Sequence, residues 1–281
     1  VIADIRALLA RHLPGHEIHS IVRLGEGLDN VVYEVDGELI VRGARVADGE
    51  ETRRETALLA AVRAISPLPV PEVVFSDPEA AVIAYRKLPG RPVNLHPVPD
   101  PMRLAEPLGA FLGALHAAPA DGLRELAPPD LYPAPTLLQD AGQDYRDVEE
   151  HVPEEQRPLV EAFLRAPVPA DTDTLRFCHN DLGAEHLLAD PETGLLTGVL
   201  DWTDAAFTDP AHDFARLYRD LGPEVFEAVA AHYDGGLGED DRARVRFYAR
   251  CALIEDLAYG LSTGPRHYAD AALANLVRTF S

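Results

Sequence analysis

Phe177-Cys178-His179-Asn180-Asp181-Leu182-Gly183-Ala184-Glu185-His186 sets one histidine just before an aspartate and a second just after it, and Leu200-Asp201-Trp202 adds another carboxylate downstream. Phosphoryl transfer needs these parts: a carboxylate that orients an attacking hydroxyl and accepts its proton, and separate ligands for a divalent cation on nucleotide phosphates. Asp181 is the candidate base, and His186 with Asp201 the candidate metal pair. A lone loop aspartate is usually a turn or cap residue. The combination of strand, spaced His and Asp, hairpin and terminal Asp weakens that reading.

The elements around these residues must hold them. Strand-like pieces near 174–178, 186–189 and 196–201 frame the loop, and Asp190-Pro191-Glu192-Thr193-Gly194 turns the last two into a hairpin. A hairpin brings its ends together, so His186 and Asp201 can share a cation. His179 reads as structural, its ring bonding backbone near Asp201. Upstream, residues 1–12 have helical periodicity, and strands are predicted over 18–24, 31–36 and 38–42, with Gly25-Glu26-Gly27 and Asp29-Asn30 in the first connection and Asp36-Gly37 as a hairpin turn. A helix over 50–65 opens on Glu50-Glu51, which suits the positive end of its dipole, and Pro67, Pro69 and Pro71 end it. Strands near 72–75 and 80–85 complete a small α+β unit. Beyond Pro92 the pattern is mainly helical, with helices on the face Leu104, Leu108, Phe111, Leu112, Leu115 and over about 137–150, 154–165, 210–221, 223–233 and 239–262.

Composition narrows the classes. The chain has 281 residues, 47% hydrophobic and 26% charged, the balance of a folded globular protein with room for a large core. Lys and Arg number 25 against 47 Asp and Glu, a formal net charge of −22. Binding to nucleic acid needs a basic surface, so no nucleic-acid partner is expected. An acidic field would attract a cationic substrate, or serve only solubility. No run is long and apolar enough to span a bilayer, and no signal-peptide pattern is present, so no membrane partner and a cytoplasmic location are expected. The chain starts at Val1, which reads as a trimmed or incomplete N-terminus. Cys178 and Cys251 lie far apart without CxxC spacing, against a disulfide framework or thiolate zinc site.

His179, Asp181 and His186, then Gly198-Val199-Leu200-Asp201-Trp202 and Asp209-Pro210-Ala211-His212-Asp213-Phe214, resemble the aminoglycoside phosphotransferase family, which shares the protein-kinase fold. The likeness runs from Gly25 to the last predicted helix. His186, where most of the family has Asn, resembles the branch of the aminoglycoside 2''-phosphotransferases and macrolide 2'-phosphotransferases. The resemblance implies a two-lobed α+β fold: a nucleotide-binding lobe over 1–88, with antiparallel sheet and one helix, and a mainly helical lobe over 89–281. It also implies ATP or GTP as co-substrate and Mg²⁺, with Mn²⁺ an option because Mg²⁺ prefers oxygen to imidazole. Gly25 and Gly27 would lie over the phosphates, with Asn30 just after them. Arg42 takes the place of the phosphate-gripping lysine, and it is forked where lysine is a point charge. Glu55 shares a helix face with Leu58, Leu59 and Val62; a buried glutamate needs a cation, and Arg42 is the nearest candidate. Tyr85, Arg86 and Lys87 resemble the inter-lobe hinge, where backbone at 86–88 would meet the purine and Tyr85 would narrow its pocket. Asp213, in its Asp-Pro-x-x-Asp setting, is expected to cap or brace the catalytic loop.

The resemblance implies an acidic cleft for an amino sugar. Asp204 follows the metal carboxylate closely, and Glu255 and Asp256 interrupt an apolar helix face near Tyr259; both are equally readable as solvated helix residues. The favoured expectation is an antibiotic kinase acting on an aminoglycoside hydroxyl, a cationic small molecule. A macrolide kinase, a kinase of another amino-alcohol or sugar, an inactive kinase-like binding module and a metal hydrolase are the alternatives.

Overall fold

The computed structural model describes residues 2–26 and 30–281. Helix α1 (Ile2–His12) precedes strands β1 (Ile21–Glu26), β2 (Asn30–Val35) and β3 (Leu39–Ala44), helix α2 (Gly49–Ile65), and strands β4 (Val73–Asp77) and β5 (Val82–Arg86). The strands form one antiparallel sheet in the order β1-β2-β3-β5-β4. Side chains alternate across a pleated strand, and the sequence uses both faces. Tyr33, Val35, Leu39, Val41, Val82 and Ala84 pack with Ile5, Leu8 and Leu9 of α1. The other face carries Ile40 opposite Tyr85 and Arg42 opposite Ile83. One parity thus builds a core, and the other delivers Arg42 and Tyr85 to the opposite side.

Helix α2 is capped by Asp48, whose carboxylate accepts the N–H groups of Glu50 and Glu51 at 2.9 and 3.0 Å. Its apolar residues Leu58, Leu59 and Val62 join the large core of the helical part, not the core between α1 and the sheet. The helix therefore ties the two parts together.

The chain crosses over through β6 (Arg91–Pro92) and continues as α3 (Ala105–His116), α4 (Leu123–Leu126), α5 (Ala134–Val148), α6 (Arg157–Arg165), β7 (Arg176–Cys178), β8 (Leu187–Ala189), β9 (Leu196–Val199), β10 (Ala206–Thr208), α7 (Ala211–Leu221), α8 (Pro223–Ala231), α9 (Glu239–Ser262) and α10 (Arg266–Phe280). Helix α9 is buried on several sides (Val245, Phe247, Tyr248, Leu253, Ile254, Leu257) because α5, α7 and α10 surround it. Strands β8 and β9 form the expected hairpin, and β6 adds to its free edge through Arg91 and Pro92, opposite Ala189 and Leu188. Gly90, at φ 96°, makes the approach: a Cβ there would sit 2.2 Å from Thr197 Oγ1 and 2.8 Å from the Ala189 carbonyl.

Several expectations need correction. Helix α10 follows the last predicted one; Ala269, Ala272, Leu276 and Phe280 are its buried stripe. Strand β10 is a three-residue partner of β7, too short for a periodic signal. Gly25 is not in a turn but inside β1, opposite Val32 where the register shifts. Gly27 and Asp29 lie outside the described residues. No described helix is long and apolar enough to cross a membrane.

Candidate active site

The loop between β7 and β8 is held mainly by α7. Asp213, fully buried, accepts the backbone N–H groups of His179 and Asn180 at 3.1 and 2.7 Å. Asp220, two turns on, accepts the N–H of Ala184 at 2.8 Å. Behind Asp213, His116 lies 2.9 Å from its carboxylate and 3.0 Å from the Tyr233 hydroxyl. Asn180 has φ 68°, a left-handed conformation that a short amide side chain tolerates. The His179 ring bonds the Leu200 carbonyl at 2.8 Å, as the sequence suggested, and burial keeps its pKa down.

Asp181 projects from this loop with both oxygens engaged. His186 Nε2 lies 3.1 Å from Oδ2, and Arg216 Nε lies 3.2 Å from Oδ1. Burial alone would raise its pKa, but the charge of Arg216 and the bond from His186 hold it well below the usual carboxylate range. Burial pulls His186 down, yet the Asp181 bond and charge outweigh it and push the imidazole up to about 9.

Asp201 ends the hairpin with φ 56° and accepts a short bond from the Thr203 hydroxyl. Arg42 Nη1 stands 4.0 Å from Asp201 Oδ1. The ligand atoms of Asp181, Glu185 and His186 lie within 4.8 Å of one another, and Asp201 is not in that trio. His186 is therefore turned toward Asp181, not toward the carboxylate expected to share its cation. Carboxylate oxygens suit a hard divalent ion, and of the carboxylates here Asp181 and Glu185 lie close enough to share one with His186. Nε2 of His186 must release Asp181 before it can ligate.

On the sheet side, Arg42 forms its ion pair with Glu55, each side chain 12% exposed. Burial raises the Glu55 pKa against the pull of Arg42. Burial also pushes the Tyr85 phenol up to about 12, with Arg42, Asp201 and Glu55 as its charged neighbours. Asn30 and Thr203 line, with Arg42 and Glu55, a cavity of about 360 Å³. Lys87 departs from expectation. Its ammonium pairs with Glu34 at 2.5 Å and its N–H bonds the Glu38 carbonyl at 2.8 Å, so neither group is presented to a purine. The Arg86 N–H is likewise held by the Glu72 carbonyl at 3.0 Å.

A second cavity, about 640 Å³, opens beside Asp181 and His186. Asp140 and Asp144 of α5, Asp204 and Glu255 line it, with Tyr248 and Tyr268. Burial first, and then neighbouring carboxylates, raise the pKa values of Asp144 and Asp204, so the acids crowd one another without enough cations. Asp256, expected to bind an ammonium group, lines the same cavity and also pairs with Arg219 at 2.8 Å. Asp140, Asp144, Glu185 and Arg216 were missed. Asp140 and Asp144 sit one turn apart on a helix the sequence revealed, so their shared face was legible; Arg216 gave no signal, being one of two arginines on an amphipathic helix.

A five-stranded antiparallel sheet with one helix, set on a mainly helical part whose His-x-Asp loop carries Asp181, defines the two-lobed kinase-like fold. Residues 20–248 match the family model APH, the phosphotransferase enzyme family, and the chain belongs to that family. Among solved structures, it is similar to the GDP complex of wild-type aminoglycoside 2'-phosphotransferase-IIIa at TM-score 0.74 and 22% identity, covering 99% of this chain and 98% of that one. It is also similar to macrolide 2'-phosphotransferase MphH from Brachybacterium faecium at TM-score 0.64 and 26% identity, covering 97% of each chain. A curated relative, the uncharacterized protein YcbJ of Bacillus subtilis (strain 168), is 39% identical over 56 residues, which is 20% of this chain and 18% of that protein.

Proposed function

We propose that this protein is a kinase that moves the γ-phosphate of ATP or GTP to a hydroxyl of a cationic small molecule, with an aminoglycoside as the favoured acceptor. The carrying observation is the position of Asp181 at the edge of a cavity whose acids outnumber its cations. A polyamine brings the missing positive charge, and its hydroxyl then reaches a carboxylate already aimed by two donors.

In this reading residues 1–88 hold the nucleotide and residues 89–281 hold the acceptor. Arg42, kept extended by Glu55, grips phosphate oxygens, and Tyr85 bounds the purine. Asp181 accepts the hydroxyl hydrogen bond and takes its proton as the phosphoryl leaves. Its low pKa makes it an orienting group first and a proton acceptor late, which suits a loose transition state. Asp201, Glu185 and, once freed, His186 would hold Mg²⁺ or Mn²⁺. That ion supplies neutralisation of charge on the phosphates.

A macrolide acceptor is the second reading, favoured by the apolar lining of the same cavity (Leu137, Ala141, Ala215, Ala252). Incubation with ATP or GTP, Mg²⁺ and panels of aminoglycosides, macrolides and simple amino-alcohols, followed by mass detection, separates the readings. Phosphorylated aminoglycoside supports the first and phosphorylated macrolide the second. Nucleotide binding without transfer to any acceptor, unaltered in Asp181→Asn, leaves a binding module instead.

A further inference from the structure

Three side chains on one face of α7 reach the catalytic loop. Asp213 takes the N–H groups of His179 and Asn180, Asp220 takes that of Ala184, and Arg216 lies between them in sequence. Spacings of three, four and seven residues along a helix place these side chains in one row. Two of the three fix the loop's backbone. Arg216 is the member that reaches a functional group, its Nε standing 3.2 Å from Asp181 Oδ1. It is 22% exposed and lines the acceptor cavity.

Asp204, Glu255 and Asp256 share the cavity lining with Arg216, but none of them forms an ion pair with it. Arg219, one turn on, holds Asp220 at 2.6 Å and Asp256 at 2.8 Å and lies 3.5 Å from Glu185. Asp181 is thus the only carboxylate paired with Arg216 among the described residues. The other contact on Asp181 comes from His186 Nε2 at 3.1 Å. A nitrogen that ligates a cation cannot donate a hydrogen bond, so a metal-bound Nε2 gives up Asp181.

We infer that Arg216 is a positioning residue, which aims the Asp181 carboxylate at the acceptor hydroxyl and holds that aim alone once His186 turns to the metal. The inference rests on the kinase reading of this site. A carboxylate on a loop, released by His186, has free rotation about its side-chain bonds. Arg216 removes that freedom by referring the carboxylate to the helix that already anchors the loop's backbone. Misplacement of a reacting group by about 1 Å costs on the order of 100-fold in rate.

The test compares Arg216→Ala, Arg216→Lys and Arg216→Met, with Asp181→Asn and the double variant. Expected are a kcat lower by roughly 10- to 100-fold in Arg216→Met, with nucleotide and acceptor KM within about twofold. Arg216→Lys recovers part of the loss. Added guanidinium at millimolar concentration raises kcat of Arg216→Ala but not of Asp181→Asn. The losses in the double variant fall short of the product of the single losses. Full multiplication, or a lowered melting temperature with kcat unchanged per folded molecule, overturns the inference. If wild type transfers phosphate to no acceptor, the kinase reading fails, and crystal structures of wild type and Arg216→Met with Mn²⁺ then decide. An Asp181 side chain turned from its wild-type rotamer upholds the positioning role, and an unmoved one overturns it.

Discussion

Glu55 of α2 and Arg42 of β3 meet in an ion pair although a turn and the first half of a helix separate them along the chain, and each side chain is only 12% exposed. Asp201 Oδ1 stands 4.0 Å from the same guanidinium, so Arg42 links the sheet, the helix and the end of the β8–β9 hairpin. Removing one partner from such a pair strands the other in a place poorly served by water.

Glu55→Gln should therefore destabilise the protein by about 3 kcal/mol, measured by urea denaturation. The same change should raise the nucleotide KM, because an unpaired Arg42 is free to swing toward Asp201. Arg42→Lys keeps charge but loses the fork, and should raise the nucleotide KM more than it lowers stability. An unaltered nucleotide KM in both variants would remove Arg42 from the nucleotide site.

Asp181→Asn should lower kcat by roughly 10²- to 10⁴-fold, the usual range for loss of a positioned acid–base group. Nucleotide affinity by calorimetry should stay near wild type, since Arg42 and Glu55 lie on the other side of the cleft. A loss confined to nucleotide binding would move Asp181 out of the role assigned to it.

Stability of the metal-free protein should fall on the alkaline side of neutrality. His186 is raised from 6.5 to about 9 on folding, so its contribution is complete below 6.5 and is lost as pH climbs through about 9. Below neutrality two contributions oppose each other: burial holds His179 and His212 down, so the folded state resists their protonation, whereas burial pushes Asp256 up to about 7, so the folded state takes its proton readily. Melting temperature measured in EDTA should decline from pH 7 to 10 in wild type and stay flatter in His186→Asn. Identical alkaline limbs would sever His186 from Asp181.

The metal itself offers a separate check. Mn²⁺ accepts an imidazole ligand more readily than Mg²⁺, whose preference is for oxygen. Wild type should have a higher kcat/KM with Mn²⁺ than with Mg²⁺ at matched concentration, and His186→Asn should shift the ratio toward Mg²⁺. A ratio that does not respond to the substitution would mean that His186 never ligates.

Acids of the large cavity should divide by partner. Glu255→Gln and Asp144→Asn each remove a negative charge that faces the cavity, and should raise the acceptor KM by about tenfold, more at low salt. Asp256→Asn instead leaves Arg219 short of a carboxylate, and should lower melting temperature before it affects acceptor binding. Equal effects on acceptor KM from Asp256 and Glu255 would contradict the division.

Much of this architecture was legible because its signals are local. The hairpin between Leu187 and Val199 announces itself by a turn between two apolar runs, and Glu55 by its place beside Leu58, Leu59 and Val62. Arg42 came from the family resemblance, which implied a cation at that strand position, and the sheet register then puts it opposite Ile83 on the face away from α1. The illegible part depends on long-range contacts. Nothing in the residues near Lys87 announces Glu34, which draws its ammonium away, and nothing near Asp256 announces Arg219 from another helix. Arg216 went unseen for the same reason: its partner lies thirty-five residues earlier and is brought to it only by Asp213 and Asp220 holding the loop.

The seam at Gly90 has a mechanical consequence. Because β6 is stitched to the edge of the β8–β9 hairpin, and Thr197 also bonds the Pro89 carbonyl at 2.6 Å, the strap leaving the sheet travels with the hairpin as one piece. Any pull the sheet exerts on that strap is then passed to the hairpin that runs from His186 to Asp201, which Pro69 also holds through the Val199 N–H at 2.9 Å. A side chain grafted onto Gly90 would pry this joint open and loosen both ends of the hairpin together.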